Sequence, residues 1–253
     1  MKFELNPNHI SGIHNYCDRW CERCAFTSKC SVFSMESNNS PEENDINNKL
    51  FWDNIAANMQ AGIKMMQDKM EELGIKIEPL TKKEKIDYSK KQEKIRGALE
   101  KTELIIDCKS YTKKVSLFLE ENDLLKLKGE TLLTHAELGL VNPNEAIKQI
   151  ELLKDCVEVI QWYIYFAHVK FMRALPTEAD DGDKFFYDDS NGSAKVALIS
   201  IDRCLNAWQN ILLHFSEFED DIINILALLQ KIKKNGEITF PLARAYKRIG
   251  LDD

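Results

Sequence analysis

Residues 201–232 read IDRCLNAWQNILLHFSEFEDDIINILALLQKI and carry the most regular apolar pattern in the chain. Apolar residues recur there at alternating steps of three and four, the heptad spacing of a helix that packs against other helices. We expect one helix from Ser193 to Lys234, about 60 Å long at 1.5 Å per residue, ended by Asn235 and Gly236. Its apolar positions are Ile201, Cys204, Trp208, Ile211, Phe215, Phe218, Ile222, Ile225, Leu229 and Ile232.

Three earlier segments begin with the sequence signals of a helix N-terminus. The capping residues are Ser40, Thr81 and Asn142, which are followed by proline at the first helical position, by glutamate three residues later, or by both. We expect these helices to reach Gly74, about Asn122 and the residue before Pro176, respectively. The apolar stripe of the first helix comprises Trp52, Ile55, Met59, Ile63, Met66, Met70 and Leu73.

Together these patterns predict an all-α fold, an elongated antiparallel four-helix bundle preceded by a metal-binding cysteine loop. We expect two segments: a metal-binding segment at residues 1–36 and the helical bundle at residues 37–253. Short additional helices are expected at about residues 130–138 and after Pro241. No alternating strand pattern and no glycine-rich turn of an α/β fold is present in the sequence.

Composition limits the compartments and partners that suit the chain. The formal net charge is 34 − 41 = −7, which disfavours nucleic acid as a partner. The N-terminus has no apolar run typical of a signal peptide, and no segment has 18 uninterrupted apolar residues, so we expect no membrane span. The cysteines number seven, an odd count that fits reduced thiols in the cytoplasm.

Four of these cysteines, Cys17, Cys21, Cys24 and Cys30, lie close together in a C-x3-C-x2-C-x5-C pattern. Four thiols so close together in a chain without a signal-peptide pattern indicate a metal centre rather than disulfides. Structural zinc sites usually join two C-x2-C turns across a longer gap, whereas a single short loop is common around an iron–sulfur cubane. We therefore expect a 4Fe–4S cluster, with structural zinc as the alternative metal.

Residues around the four cysteines suit a cluster. Positive side chains between the ligands would offset its negative charge, and two aromatic rings would shield it from water. His14 lies just outside the loop. These candidate neighbours of the cluster are Arg19, Arg23, Lys29, Trp20, Phe26 and His14.

The segment from Cys21 to Cys30 resembles the C-x2-C-[small or Pro]-aromatic-x3-C segment of RecB-type iron–sulfur nucleases and of the SPASM extensions of radical-SAM enzymes. That resemblance covers ten residues and implies three ligands of a 4Fe–4S cluster, with Cys17 as the fourth. The C-x3-C-x2-C spacing from Cys17 to Cys24 is similar to the radical-SAM motif itself, but Arg23 stands where those enzymes usually have an aromatic residue. The resemblance implies a ligand set and not a fold.

The other cysteines, Cys108, Cys156 and Cys204, fall on or beside apolar helix stripes. Buried cysteine behaves as a small hydrophobic residue, so we interpret these three as core residues rather than as a second thiolate site.

Two functions fit this sequence. In the first, the protein is a non-catalytic module whose cluster is a structural or one-electron centre and whose helices bind a protein partner. A site closed by four thiolates favours this hypothesis, because catalytic metals usually keep an open position. In the second, the protein is an enzyme whose active site lies at the bundle end near the cluster and uses His135, Glu137 or the acidic link at residues 180–189. The pattern does not set the oligomeric state.

Overall fold

The computed structural model of the chain describes residues 6–37, 39–74, 79, 81–175 and 184–252. All regular secondary structure in these ranges is helical, which confirms the all-α class. The chain divides into two compact units. The first unit comprises the residues up to Gln92 and those from Ile249 onward, and the second extends from Glu93 to Arg248. The predicted boundary after residue 36 stays a prediction.

Ten α-helices lie in the described part of the chain. The first four are α1 Ser31–Ser37, α2 Pro41–Asn44, α3 Lys49–Glu72 and α4 Lys82–Leu99. The others are α5 Glu103–Glu121, α6 Leu124–Glu137, α7 Pro143–Tyr163, α8 Phe166–Ala174, α9 Lys184–Leu212 and α10 Glu219–Thr239.

The core of the second unit is built around α9. This helix packs against α7, α8 and α10, while α5 packs against α8 and α10, and α6 against α7. Trp208 and Ile211 of α9 and Ile222 and Ile225 of α10 are completely buried. The heptad pattern therefore identified core residues correctly.

The helix predicted from Ser193 to Lys234 is instead two helices that pack against each other, α9 and α10. Phe215 leaves the helical conformation at φ −139° and ψ 79°, and one 3₁₀ turn follows at Ser216–Phe218. The first turn of α10 then contains Glu219, Asp220 and Asp221. Negative side chains at a helix N-terminus are stabilised by the helix dipole, so this acidic run favours a new helix start.

The predicted start at residues 191–193 is also wrong, because α9 already includes Lys184 and has Gly192 in its interior. The predicted helix after Pro241 is replaced by turns, although its residue Ala243 is completely buried. The helix expected around residues 130–138 is present as part of α6.

The other long helices are also interrupted, so the elongated four-helix bundle is not confirmed. A turn after Leu99 separates α4 from α5, and a turn at Ile164 and Tyr165 separates α7 from α8. The predicted capping interactions do form. Ser40 and Glu43 make a reciprocal capping box, but it opens the one-turn helix α2, and the side chain of Asn48 caps α3.

The apolar stripe of α3 is exposed, although the bundle prediction required it to be buried. Trp52 is 54% exposed and Met59 is 64% exposed, and no residue of α3 is buried. No buried residue is present in α4 either. The predicted start of this helix at Ser40 is wrong, because the long helix begins at Lys49. Helical periodicity identified the stripe of α3 but could not show whether another element covers it.

Gly236 lies inside α10 rather than at a helix end. A β-carbon on this residue would lie 2.5 Å from Cζ of Phe171 and 3.3 Å from Cδ2 of Leu198. Phe171 is completely buried and its ring stacks on that of Phe240 at 5.8 Å. The glycine is therefore needed for the close approach of α8 and α9 to α10 and not for helix termination.

We expect Gly236→Ala to lower the free energy of unfolding by about 1–3 kcal/mol, because the added methyl group would overpack the contact with Phe171. Gly129→Ala in α6 is the matched control, since a β-carbon there would meet nothing within 4 Å. The control should stabilise the protein by about 0.4–1 kcal/mol. Urea unfolding measures both changes, and equal effects at the two sites would contradict the packing role of Gly236.

Candidate metal centre

Two short 3₁₀ turns present the last two cysteines of the cluster motif. Residues Cys21–Arg23 form the first turn, and the backbone N–H of Cys24 donates to the carbonyl of Cys21 at 3.1 Å. Thr27–Lys29 form the second, and the N–H of Cys30 donates to the carbonyl of Thr27 at 3.1 Å. Both cysteines then have an extended backbone, so the two turns hold Cys24 and Cys30 in the same local geometry.

The two turns also share a side-chain pattern. An aromatic residue precedes each turn, a basic residue ends it, and a cysteine follows. In the first turn these residues are Trp20, Arg23 and Cys24, and in the second they are Phe26, Lys29 and Cys30. Each of the two thiols is therefore next in sequence to a positive charge, a local duplication that the overall cysteine spacing does not reveal.

One residue between Cys17 and Cys21 has a strained backbone conformation. Arg19 has φ 60°, a left-handed conformation that costs about 1–3 kcal/mol for a residue other than glycine. The N–H of Trp20 donates to Oδ1 of Asp18 at 3.2 Å, so this hydrogen bond joins the two neighbours of Arg19. Strain of this kind concentrates at functional sites, where the surrounding structure maintains it.

All four cysteines line one cavity of about 350 Å³, a volume that includes its opening to solvent. Each of them is half-buried. Of the predicted neighbours, four line the cavity and two do not. Its other lining residues are Ile13, His14, Asp18, Arg19, Trp20, Phe26, Thr27, Phe33 and Leu251.

The two predicted neighbours that do not line the cavity are Arg23 and Lys29. The guanidinium carbon of Arg23 lies 4.0 Å from the centre of the Trp20 ring, in a cation–π contact. The carbonyl of Lys29 accepts the backbone N–H of Ile10 at 3.0 Å. The backbone of Lys29 thus fixes the preceding segment against the cysteine loop.

Hydrogen bonds already reach two of the sulfur atoms. The backbone N–H of Phe26 donates to Sγ of Cys24 at 3.4 Å, and the thiol of Cys17 donates to the carbonyl of His14 at 3.4 Å. Backbone N–H donors to sulfur are part of the environment that tunes thiolate-bound clusters. A thiol must lose its proton to bind a metal, so Cys17 would exchange its bond to His14 for a bond to the metal.

His14 contributes a buried polar atom to the site. Its Nδ1 accepts or donates no hydrogen bond among the described residues, although the residue lines the cavity with the cysteines. A buried polar atom without a partner costs free energy, which a water, an ion or a ligand at that position would offset. The sequence placed His14 outside the loop, whereas the fold brings it to the cavity wall.

Residues near the C-terminus also belong to the site, although no sequence motif indicates them. Leu251 lines the cavity, and Gly250 has φ 70°. A β-carbon on Gly250 would lie 3.0 Å from Cδ1 of Ile10 and 3.3 Å from Cδ1 of Ile13. No local pattern marks this contact, because it joins residues near opposite ends of the sequence.

In the part of the chain that the structure describes, no group of three or more His, Cys, Asp or Glu side chains is arranged to hold a metal ion. The four thiols therefore share a cavity without converging on one point. What does fit a metal is the chemistry of the donors: four sulfurs and one imidazole nitrogen around one space.

The residues named for a catalytic role belong to the second unit, whereas the cysteine cavity belongs to the first. His135 is half-buried and Glu137 is exposed, both in the last turn of α6 in the second unit. In the acidic link, residues 180–183 lie outside the described residues. Asp189 accepts a hydrogen bond of 2.6 Å from Arg173 in an ion pair.

The three remaining cysteines are core residues, as predicted. Cys108, Cys156 and Cys204 are all buried. Burial raises the pKa of the Cys108 and Cys204 thiols to about 12 and that of Cys156 to about 11. They therefore stay protonated at neutral pH and are poor nucleophiles and poor metal ligands.

We expect iodoacetamide to divide the cysteines of the metal-free folded protein into two classes. The four thiols of the motif should react within minutes at pH 8, while the three buried thiols should react at least about a hundredfold more slowly. Mass spectrometry of tryptic peptides would locate each modification. Rapid modification of Cys108 or Cys204 in the folded protein would contradict their assignment to the core.

Comparisons with protein-family models, curated proteins and solved structures give no match to this chain. Among the helices of the described residues, none combines the length and apolar character needed to cross a bilayer.

Proposed function

We propose that Cys17, Cys21, Cys24 and Cys30 hold a 4Fe–4S cluster and that the protein is a non-catalytic module in a reducing compartment, the cytoplasm. The observation that carries this proposal is the single cavity lined by all four thiols. Four thiolates complete the protein ligand set of such a cluster, so no iron is left open for a substrate. A closed site suits a structural or one-electron role.

The walls of the cavity support this assignment. Trp20, Phe26, Phe33 and Leu251 provide apolar surface that would limit access of water to the cluster. Arg19 lines the same space and supplies positive charge beside a group that carries net negative charge. The N–H of Phe26 that already donates to Cys24 would stabilise a bound thiolate.

Structural zinc is the second candidate, and His14 is the observation that favours it. Zinc binds four thiolates, or three thiolates and one imidazole nitrogen, in tetrahedral sites. The buried Nδ1 of His14 has no hydrogen-bond partner in the part of the chain that the structure describes, and it belongs to a residue on the cavity wall. If His14 bound zinc in place of one cysteine, the site would have the second of these ligand sets, three thiolates and one imidazole nitrogen.

Anaerobic purification followed by analysis of iron, inorganic sulfide and zinc distinguishes the two metals. A cluster predicts about four iron and four sulfide per chain, with a broad absorption near 400 nm that dithionite bleaches. A colourless protein with one zinc per chain would contradict the cluster and retain the metal site. A protein with neither metal, even after separate reconstitution with iron and sulfide and with zinc, would contradict both.

We also propose a protein as the partner of the module. A closed metal site has no position for substrate, so the function of such a protein depends on what it binds. The net charge of −7 makes nucleic acid a poor partner.

A further inference from the structure

Helix α3 presents an apolar stripe that repeats with the hendecad spacing, in which equivalent positions recur after three turns of helix. The repeated pairs are Trp52 and Ile63, Ile55 and Met66, and Met59 and Met70. This repeat corresponds to about 3.67 residues per turn, close to the natural period of the α-helix. The stripe therefore runs almost parallel to the helix axis along most of α3.

Within the residues that the structure describes, this stripe is helical but not covered. The exposed fractions of Ile55, Ile63 and Met66 are 38%, 49% and 57%. The Trp52 ring is fixed by a hydrogen bond of 2.9 Å from its Nε1 to the carbonyl of Ile46, yet more than half of the residue is exposed. The one-turn helix α2 is the main neighbour of α3 in the described structure. An apolar surface of this extent on a surface helix marks an interaction site.

We infer that α3 of a second copy of this chain covers the stripe, in antiparallel orientation. A repeat sustained at the period of a helix is the pattern of helix-on-helix packing, because each layer then meets a layer of the partner. A two-fold axis that crosses the stripe midway along α3, at the level of residues 60–61, would pair Trp52 with Met70 of the other copy, Ile55 with Met66, and Met59 with Ile63. Each aromatic or branched side chain would then pack against a methionine.

Charge complementarity supports this orientation. Lys49 and Glu71 are separated by two of these repeats, and so lie on the same flank of the stripe at opposite ends of α3. The same two-fold axis would bring Lys49 of each copy beside Glu71 of the other. Lys49 is exposed and now pairs with Asp53 at 2.7 Å in its own helix, an exposed pair of little energetic value.

The composition of α3 argues against a membrane surface as the occupant. The helix contains three lysines and four acidic residues, a net charge of −1. Helices that bind anionic membranes are usually rich in Lys and Arg on the polar face. A partner helix does not require this basic excess.

The size of the stripe predicts a weak dimer. A helix of this length is about 36 Å long and 10–12 Å wide, a facing strip of roughly 400 Å² per copy. Stable interfaces bury about 800 Å² per partner, so this one belongs to the small class. We therefore expect dissociation in the micromolar range.

Sedimentation velocity of the full-length protein between about 1 and 100 µM tests this inference. The expected result is a reversible shift from monomer to dimer within that range. Met59→Glu should raise the dissociation constant at least about tenfold, because it puts a charge in the centre of the interface. Ala61→Glu, on the opposite face of α3, should leave it within about twofold. Circular dichroism would verify that both variants retain the helical content of the parent protein.

A charge exchange tests the orientation. Lys49→Glu should weaken the dimer, and Lys49→Glu combined with Glu71→Lys should restore it, since only an antiparallel pair brings these residues together. If the double variant does not regain the dimer affinity of the parent protein, the antiparallel arrangement is overturned. A protein that stays monomeric at about 100 µM, or that binds anionic phosphatidylserine vesicles through α3 instead, would overturn the inference.

Discussion

Cys24→Ala should reduce the metal content of the purified protein by more than about tenfold. Loss even of a residue that only supports a ligand typically costs 10–100-fold in metal affinity, and loss of a ligand removes a bond to the metal itself. The same result is expected for Cys17, Cys21 and Cys30, since all four line the one cavity. Metal analysis after anaerobic purification is the measurement.

Cys156→Ala is the matched control, because it removes a thiol that is buried in the second unit. It should retain full metal content even if it lowers stability slightly. His14→Ala completes the series. If one of the four motif cysteines proves dispensable while His14→Ala abolishes binding, the four-thiolate set is wrong and His14 is the fourth ligand.

Trp208→Ala should lower the free energy of unfolding by about 3–5 kcal/mol, the usual cost of removing a large aromatic side chain from a core. Trp208 is completely buried, and its ring meets the ring of Phe118 edge-on at 5.5 Å. Phe118 also contacts Phe218 of the turn between α9 and α10 at 5.5 Å. The cavity left by the indole would therefore weaken the contact of α5 with both segments.

The effect of Trp208→Ala can be measured by urea unfolding at a fixed protein concentration. Leu213→Ala, in the turn that follows α9, is the control, since Leu213 is 80% exposed. Its effect should stay within about 0.5 kcal/mol. A loss below about 1 kcal/mol for Trp208→Ala would show that the ring is not part of the cooperative core.

Local sequence determined much of this protein. The capping boxes at Ser40 and Thr81 and the cap at Asn142 form as their residues predict, because each involves neighbours within three positions. The four motif cysteines share a cavity for a related reason, since a short segment with two tight turns cannot separate them far. The apolar positions of α9 and α10 are likewise buried, because helical periodicity marks the face that packs.

Tertiary structure decided the remaining features. The heptad pattern continues through Phe215 and Phe218, but the chain turns there, and the helices before and after the turn, α9 and α10, pack on each other. An antiparallel pair of helices buries the same residues as one long helix, so the pattern alone cannot distinguish them. Gly236 resembled a helix end, and its role in the contact with Phe171 depends on two elements that are distant in the sequence.

The cavity and α3 show the same limit of local information. Leu251, which is distant from the cysteines in sequence, and His14, which is close to them, both line the cavity. The spacing of residues in the sequence does not predict either contact. The stripe of α3 has the periodicity of a buried face and yet remains exposed within the described chain. Periodicity records which side chains share a face of a helix, whereas the element that covers the face depends on the free energy of all competing contacts, including those with a second molecule.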